Sequence, residues 1–226
     1  MPRRHLRLLT LLAALVIALL TSCTAVQEQK PSLPDGAQLL TDSATAMRTV
    51  NSTRFAIDTQ GTVPEIRLRS ANGQLTREGS AKGTAKINQG GQVLELEFVI
   101  LGDRLYLRPP TGPVQRLPLS FASAVYDPSV ILNPDRGIAS VLASGTGATT
   151  EDREQVGGVD SYRLRVTFPA QPLGTLIPGP ALEKTGQVWI AVQGSRLVQA
   201  QFPATDGTIT VRFSEYDVPV EITAPV

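Results

Sequence analysis

The chain has 226 residues with 21 basic and 20 acidic side chains, a formal net charge of +1, one cysteine and one histidine. Both of these rare residues, His5 and Cys23, lie near the N-terminus. The rest of the chain therefore has no thiol and no imidazole. This excludes a disulfide framework, a cysteine nucleophile, a Ser-His-Asp triad and histidine-ligated zinc from it.

The N-terminus has the features of a secretory signal. Three arginines precede an apolar run over residues 8–20, and small residues lead from there to Cys23. The alternative is a membrane-spanning helix, but that needs about 20 apolar residues and this run is shorter. The tetrapeptide Leu20-Thr21-Ser22-Cys23 is similar to the bacterial lipobox. The similarity implies a signal peptide over residues 1–22, a diacylglyceryl thioether on Cys23, usually an acylated amino group, and a location at the outer face of the cell membrane.

Loss of residues 1–22 would remove three of the 21 basic residues and none of the 20 acidic residues, leaving 204 residues with net charge −2. That length suits one domain with a sizeable core, and no basic patch indicates nucleic-acid binding. Residues 24–33 are mostly polar and lack apolar periodicity. We therefore predict a lipidated tether over residues 23–34, able to reach about 35 Å, and a single domain over residues 35–226.

A helix and a series of hairpins follow the tether. Asp35 is a suitable N-cap with Gln38 three residues later, and apolar residues recur at helical spacing, which predicts a helix from Asp35 to about Val50. Between residues 53 and 108 the apolar positions alternate, which predicts antiparallel strands. Turn signals divide these strands at Asn72-Gly73, Gln89-Gly90-Gly91 and Gly102-Asp103.

The middle of the chain, residues 118–145, is predicted to be helical and loop-like. At Asp127-Pro128 and Asn133-Pro134 a capping residue precedes a proline that suits the first helical position. Ile138, Val141 and Leu142 give the second of these helices one apolar face. Strand patterns then resume, with a short helical break over residues 172–177. The predicted strands are 161–168, 187–192, 197–202 and 208–213, with a last one near 218–222.

These elements predict an α+β fold in which helices cover one face of a long antiparallel sheet. So many strands must twist and curl, which favours a concave inner face. In one strand the inward positions Ala81, Gly83 and Ala85 are small, so a helix packed across them would leave an apolar gap. Closer helix packing at Gly83, or a bulge there, fits the pattern equally well.

Several motifs resemble those of the LppX/LprG group of actinobacterial envelope lipoproteins. The most specific is the run from Tyr126 to Pro134 (YDPSVILNP), followed by residues 137–142 (GIASVL). The lipobox and the helix start at Leu33-Pro34-Asp35 also lie where this family has them, so the resemblance covers essentially the whole mature chain. Residues 169–176 depart from the family's usual helical sequence. Weaker matches are Gly83-Thr84-Ala85-Lys86, Leu101-Gly102-Asp103-Arg104-Leu105-Tyr106 and Val188-Trp189-Ile190.

The resemblance implies a strongly curved, half-open antiparallel sheet with helices on the concave face enclosing a large apolar cavity. It also implies a carrier, with no catalysis and no cofactor, for acyl chains of triacylated glycolipids such as phosphatidylinositol mannosides and lipoarabinomannan, or of triacylglycerol. A major-facilitator exporter in the same membrane is the implied protein partner. Ordinary core packing is the alternative for each candidate cavity residue. The candidates are Gly83, Ala85, Ile87, Leu94, Leu96, Phe98, Ile100, Val130, Ile131, Ile138, Val141, Leu142, Leu164 and Val166.

Two other classes of protein stay open. A surface interaction module with a solid core would have the same strand pattern. An enzyme would need carboxylates or a serine–lysine pair, and the candidates are Glu95 and Glu97 on one outward face and an acidic group at residues 151–154 in a predicted loop. At the cavity mouth Lys82 or Arg104 could meet a headgroup phosphate, with solvated surface charge as the alternative.

Overall fold

One antiparallel sheet organises the computed structural model, which describes residues 32–63, 67–124, 128–174 and 183–225. The predictions for the signal peptide, Cys23, most of the tether and the Asp127 cap lie outside these ranges. The described residues form three helices, α1 (Gly36–Arg48), α2 (Ile138–Ser144) and α3 (Ala170–Gly174), and two 3₁₀ segments, Leu119–Ala124 and Pro128–Val130. The strands are β1 (Ser52–Thr62), β2 (Leu68–Thr76), β3 (Ala81–Gln89), β4 (Gln92–Leu101), β5 (Arg104–Arg108), β6 (Gln115–Pro118), β7 (Thr146–Val156), β8 (Val159–Phe168), β9 (Lys184–Ala191), β10 (Leu197–Ala204) and β11 (Asp206–Ser214).

The strand order in the described part of the chain is β6-β5-β4-β3-β2-β1-β11-β10-β9-β8-β7, with antiparallel neighbours throughout. The predicted α+β class is thus confirmed, and the sheet is open, with β6 and β7 at its edges. Short length and a proline limit the exposed edge of β6, while two register shifts interrupt β7. Both features disfavour pairing with another chain.

The strand ends form two rims. We call the rim with the β3–β4 turn at Gly90-Gly91 the upper rim, and the rim with the β7–β8 turn at Gly157-Gly158 the lower rim. The chain enters the domain beside the middle of β7, where the Thr150 hydroxyl donates to the Pro34 carbonyl at 2.7 Å. Helix α1 then leads to the start of β1 at the lower rim.

The first helix is confirmed with its cap. The Asp35 carboxylate accepts a hydrogen bond from the backbone N–H of Gln38 at 2.8 Å. Such a cap satisfies one of the otherwise unpaired N–H groups of the first turn. Leu40, Ala44 and Met47 are buried, so the apolar stripe seen in the sequence is the packing face of α1.

The predicted turn at Asn72-Gly73 is wrong. Both residues lie inside β2, and the chain reverses at residues 77–79 instead, where Gly79 has a φ of +86°. Gly73 is needed for close approach: a Cβ built on it would lie 2.2 Å from the carbonyl oxygen of Lys82 on β3. The glycine that signals a turn in the sequence is thus an interior strand residue.

The helix predicted at Asn133-Pro134 begins four residues later. The Asn133 side chain accepts from the N–H groups of Asp135 and Arg136, both at 3.0 Å, but it caps a single turn. Gly137 ends that turn and packs against backbone carbonyls, because a Cβ there would lie 2.3 Å from the oxygen of Ile131. Helix α2 then starts at Ile138, without a side-chain cap.

The strand predicted near residues 218–222 is also wrong. Side chains bind the backbone of this C-terminal segment instead: the Ser52 hydroxyl donates to the Val218 carbonyl at 2.6 Å, and Lys82 Nζ donates to the Glu221 carbonyl at 2.8 Å. Asp217 anchors its start by accepting from the Asn51 N–H at 2.7 Å. The segment therefore crosses the lower rim as a strap and not as a twelfth strand.

Candidate functional site

Two facing glycines form the floor of a trough on the inner face of the sheet. Gly73 of β2 pairs with Gly83 of β3, and the flanking partners in the same cross-strand row are Phe55 of β1 and Phe98 of β4. A Cβ on Gly83 would lie 2.0 Å from the backbone oxygen of Asn72. The two backbones therefore come close only because neither residue has a side chain.

The next row repeats the pattern with alanines. Ala71 of β2 pairs with Ala85 of β3, between Ile57 of β1 and Leu96 of β4. Small residues thus lie opposite one another on adjacent strands, and large apolar residues stand on both sides. The trough follows from the strand register and not from one strand alone.

The two 3₁₀ segments lie beside this trough and supply further lining, so that an apolar hollow of about 120 Å³ remains between them and the sheet. We call it the N-terminal hollow. Its cover is thin, because Phe121 lines the hollow and is still 59% exposed. The described residues that line it are Phe55, Leu68, Ala71, Ala85, Ile87, Leu96, Phe98, Ile100, Leu105, Leu107, Phe121 and Pro128.

Burial along β4 indicates where this hollow opens. Ile100 is 1% and Phe98 is 8% exposed, whereas Leu96 and Leu94, nearer the β3–β4 turn, are only half-buried. On β3 the same change runs from Ala81, which is fully buried, to half-buried residues nearer the turn. The apolar inner face therefore becomes accessible toward the upper rim.

A second, smaller apolar hollow lies beneath α2 and α3. It measures about 40 Å³ and is formed against the inner faces of β8 to β11. We call it the C-terminal hollow. Its described lining residues are Ile131, Ile138, Val141, Leu142, Phe168, Leu173, Val188, Leu197, Ala200, Phe202, Val211 and Phe213.

The cavity residues predicted from the sequence are divided between the N-terminal hollow, the C-terminal hollow and the surrounding core. Ala85, Ile87, Leu96, Phe98 and Ile100 line the N-terminal hollow, and Gly83 lies in the trough beside them. Ile131, Ile138, Val141 and Leu142 line the C-terminal hollow. Among the described lining residues of the two hollows, five candidates do not occur: Gly83, the half-buried Leu94 and Val130, and the fully buried core residues Leu164 and Val166.

Sequence reasoning missed the contribution of β2 to the lining. The sequence does contain a signal for Ala71, because an alternating run of small residues spans Ala71 and Gly73. The Asn-Gly dipeptide is a strong hairpin signal, however, and it favours a turn at the same place. Phe121 had no such signal, because it lies outside any apolar periodicity.

The outer face carries a polar groove of about 310 Å³ across β8 to β11, with Arg165, Thr185, Gln187, Gln201 and Thr208 among its lining residues. It is larger than either hollow. Its hydrogen-bonding groups would lose water without replacement if hydrocarbon entered, which is unfavourable. An apolar ligand therefore suits the inner face.

The acidic group at residues 151–154 lies on strand β7, not in a loop. The Glu151 carboxylate accepts from Arg165 Nε at 2.6 Å and from Gln187 Nε2 at 2.8 Å. The Gln187 hydrogen bond, together with Arg165 and Arg163 and against the effect of burial, lowers the pKa of Glu151. These contacts tie together the outer faces of β7, β8 and β9, which is a structural role.

The other charged candidates also have local partners. Glu95 lies 3.4 Å from Lys86, and Glu97 lies 3.6 Å from Arg108, across neighbouring strands. Arg104 contacts the adjacent Asp103 at 3.3 Å. Within the described ranges, no group of three or more acidic, histidine or cysteine side chains is placed to hold a metal ion.

The fold is shared with two solved actinobacterial lipoproteins. It superimposes on the crystal structure of LprF from Mycobacterium bovis with a TM-score of 0.76 and 21% identity, over 84% of this chain and 96% of that one. For LppX from Mycobacterium tuberculosis the TM-score is 0.63 at 22% identity, over 83% and 97% of the two chains. In none of the described helices is there a stretch long and apolar enough to cross a membrane.

Residues 35–222 match the LppX_LprAFG lipoprotein family, and the chain belongs to that family. Its relatives include proteins named lipoarabinomannan carrier protein LprG. The protein of that name from Mycolicibacterium smegmatis is 34% identical, over 99% of this chain and 98% of its own. Those from Mycobacteroides abscessus and Mycobacterium tuberculosis are 32% and 30% identical, each over 99% of this chain and at least 98% of its own.

Proposed function

We propose that this protein is a non-enzymatic lipid carrier, anchored at the outer face of the cell membrane through acylated Cys23. The apolar trough formed by the facing small residues of β2 and β3 carries this proposal. It would hold acyl chains of a triacylated glycolipid or of triacylglycerol. Relatives named as lipoarabinomannan carriers support a glycolipid cargo, and their name supports binding without catalysis.

Energetics require a carrier for such a cargo. Exposing one methylene group to water costs about 0.8 kcal/mol, so a chain of about sixteen carbons costs on the order of 12 kcal/mol. An apolar site in the protein makes transfer from the bilayer nearly neutral. Loading and unloading then need no energy source within the protein itself.

Cargo binding requires the covers to move. The two hollows, about 120 and 40 Å³, are smaller than the roughly 300 Å³ at which pockets for drug-sized ligands begin. The sheet is held by continuous strand pairing, whereas the cover of the N-terminal hollow consists of short 3₁₀ segments. We therefore expect outward movement of these two 3₁₀ segments to admit acyl chains, while the sugar headgroup stays in water outside the mouth.

Partners follow from the same proposal. The membrane supplies and receives the cargo, and a major-facilitator exporter in that membrane is the proposed protein partner, on the basis of the family resemblance. A solid-core interaction module is the second candidate, and the small volumes of the hollows favour it. The two candidates differ in whether the purified chain binds lipid.

Ala85→Trp tests the trough directly. The indole would fill the space between Ala71 and Leu96, so we expect lipid uptake to be lost while the fold is kept. Thr84→Trp is the matched control, because the neighbouring position on β3 faces outward. Bound lipid is measured by organic extraction and mass spectrometry, and folding by circular dichroism.

Uptake by the Ala85→Trp variant equal to that of the Thr84→Trp variant would remove the trough from the binding site. A wild-type protein that is purified without lipid and takes up none would instead favour the interaction module. Hydrolysis of a lipid ester by the wild-type protein would contradict the absence of catalysis.

A further inference from the structure

The β3–β4 turn presents an apolar side chain to solvent at the upper rim. Val93, next to the Gly90-Gly91 turn, is 60% exposed. Both glycines have positive φ, at +58° and +83°, so the turn is tight and holds Val93 at the edge of the sheet. The half-buried Leu94 and Leu96 follow it toward the mouth of the N-terminal hollow.

The part of the sheet that contains this turn carries an excess of positive charge. Residues 67–124 contain eight basic and four acidic residues, whereas residues 33–66 and 125–226 together contain nine basic and fifteen acidic residues. Two carboxylates, Glu95 and Glu97, offset part of the charge near the rim. Three cations lie toward the upper ends of β2 and β3 and outnumber these carboxylates: Arg67, Arg69 and Lys86.

The tether meets the sheet beside the middle of β7. The Pro34 carbonyl accepts from the Thr150 hydroxyl there, and Leu33 beside it is 41% exposed. About eleven residues separate Cys23 from Pro34, which limits the distance between them to about 40 Å. This length is enough for an acylated Cys23 to lie in a bilayer that contacts the upper rim.

We infer that the upper rim docks onto the surface of an anionic lipid bilayer. Val93 enters the interface between headgroups and acyl chains, and the surrounding cations contact lipid phosphates. Apolar burial and attraction to anionic headgroups are the two contributions that hold proteins at such interfaces. Docking brings the mouth of the N-terminal hollow against the acyl region, so cargo passes without crossing water. The inference rests on one part of the proposed function, the lipid anchor at Cys23. It does not depend on cargo binding.

The test compares two valines at opposite rims. The full chain with Val93→Cys is expressed, so that acylation of Cys23 leaves one free thiol, which is labelled with a nitrobenzoxadiazole fluorophore. Val159→Cys is the matched control: Val159 follows the Gly157-Gly158 turn at the lower rim and is 40% exposed. Each protein is reconstituted into vesicles of phosphatidylglycerol and phosphatidylcholine that contain a spin-labelled lipid as quencher.

We expect blue-shifted emission and several-fold stronger quenching at position 93 than at position 159. The difference should shrink in vesicles of phosphatidylcholine alone. In anionic vesicles, Arg67→Gln and Arg69→Gln should each lower the ratio of docked to undocked protein about fivefold. Arg48→Gln, at the lower end of α1, is the control substitution for charge.

Equal quenching at the two positions would overturn the inference. This holds even if position 93 could be cross-linked to a membrane protein, because the rim would then dock onto protein and not onto lipid. Labelling of the unsubstituted chain would reveal a free Cys23 thiol and would overturn it as well. Lipid extracted from the same samples separates this inference from the proposed function. If lipid cargo is bound but quenching is equal at the two positions, only the docking inference is rejected. If quenching is selective for position 93 but no cargo is bound, only the carrier proposal is rejected.

Discussion

At the scale of single residues, the candidate site depends on the absence of side chains. Gly73 and Gly83 face each other in neighbouring strands, and each lies closer to the opposite backbone than a Cβ would allow. The sequence indicated small residues on β3 but could not show that β2 places equally small ones opposite them. Strand register decides this, and it depends on pairing between distant residues.

Gly83→Ala should destabilise the protein, although alanine normally favours a strand over glycine by about 0.5–1 kcal/mol. The added Cβ would lie 2.0 Å from the Asn72 oxygen, so β2 and β3 must separate. We expect the free energy of unfolding to fall by about 2 kcal/mol, the range of overpacked cores. Urea denaturation measures it.

Ala85→Gly, on the same face of β3, is the control and should cost only about 0.5–1 kcal/mol, the ordinary entropic cost of glycine in a strand. A Gly83→Ala variant as stable as the wild-type protein would show that the two strands do not approach each other as described.

At the scale of elements, the helices and strands that could be predicted from the sequence are those with a clear apolar periodicity. Helix α1 and strands β8 to β11 carry clear patterns and were found within a few residues of their ends. Strand β7 was missed, because Thr146–Val156 is mostly polar or small on both faces. It forms because β8 pairs with it and because ionic contacts to Glu151 hold its outer face. Such stabilisation has no signature in local periodicity.

Glu151→Gln should weaken the attachment of this edge strand in a pH-dependent manner. Hydrogen bonds from Gln187 and Arg165 outweigh burial and lower the pKa of Glu151 in the folded state. Because the pKa in the unfolded state is near 4.3, ionised Glu151 stabilises the fold above about pH 4. This contribution is lost as the pH falls through the lowered pKa.

We therefore expect the Glu151→Gln variant to have a lower free energy of unfolding than the wild-type protein at pH 7, with the two values converging below about pH 4. Urea unfolding across that range measures both. Glu95→Gln is the control: its exposed pair with Lys86 contributes little, so the loss at pH 7 should be small. A constant difference at all pH values would show that the ionisation of Glu151 is not responsible.

At the scale of the whole molecule, the sheet and the segments that cover it differ in how freely they can move. Ten neighbouring strand pairs run through the described sheet without a break, so its shape changes little without loss of many hydrogen bonds. The described parts of the cover, Leu119–Ala124 and Pro128–Val130, are 3₁₀ segments that pack against β5 and β2, respectively. The carrier proposal therefore requires the cover, and not the sheet, to move.

A reversible cross-link tests this requirement. A Cβ on Gly79 would lie 3.4 Å from the Cβ of Ser129, close to the roughly 3.5–4.5 Å found in disulfides. The double variant Gly79→Cys/Ser129→Cys would therefore fasten the second 3₁₀ segment to the β2–β3 turn when oxidised. Gly79 has a φ of +86°, so the substitution costs about 1–3 kcal/mol of strain.

We expect the oxidised double variant to take up long-chain lipid several-fold less than the wild-type protein, and reduction to restore uptake. The strain at residue 79 is present in both redox states, so recovery on reduction separates locking of the cover from damage to the fold. Oxidised Ser129→Cys alone controls for the thiol. If oxidised and reduced forms take up lipid equally, the N-terminal hollow expands without moving this segment, and the opening must lie wholly at the upper rim, between β4 and the first 3₁₀ segment.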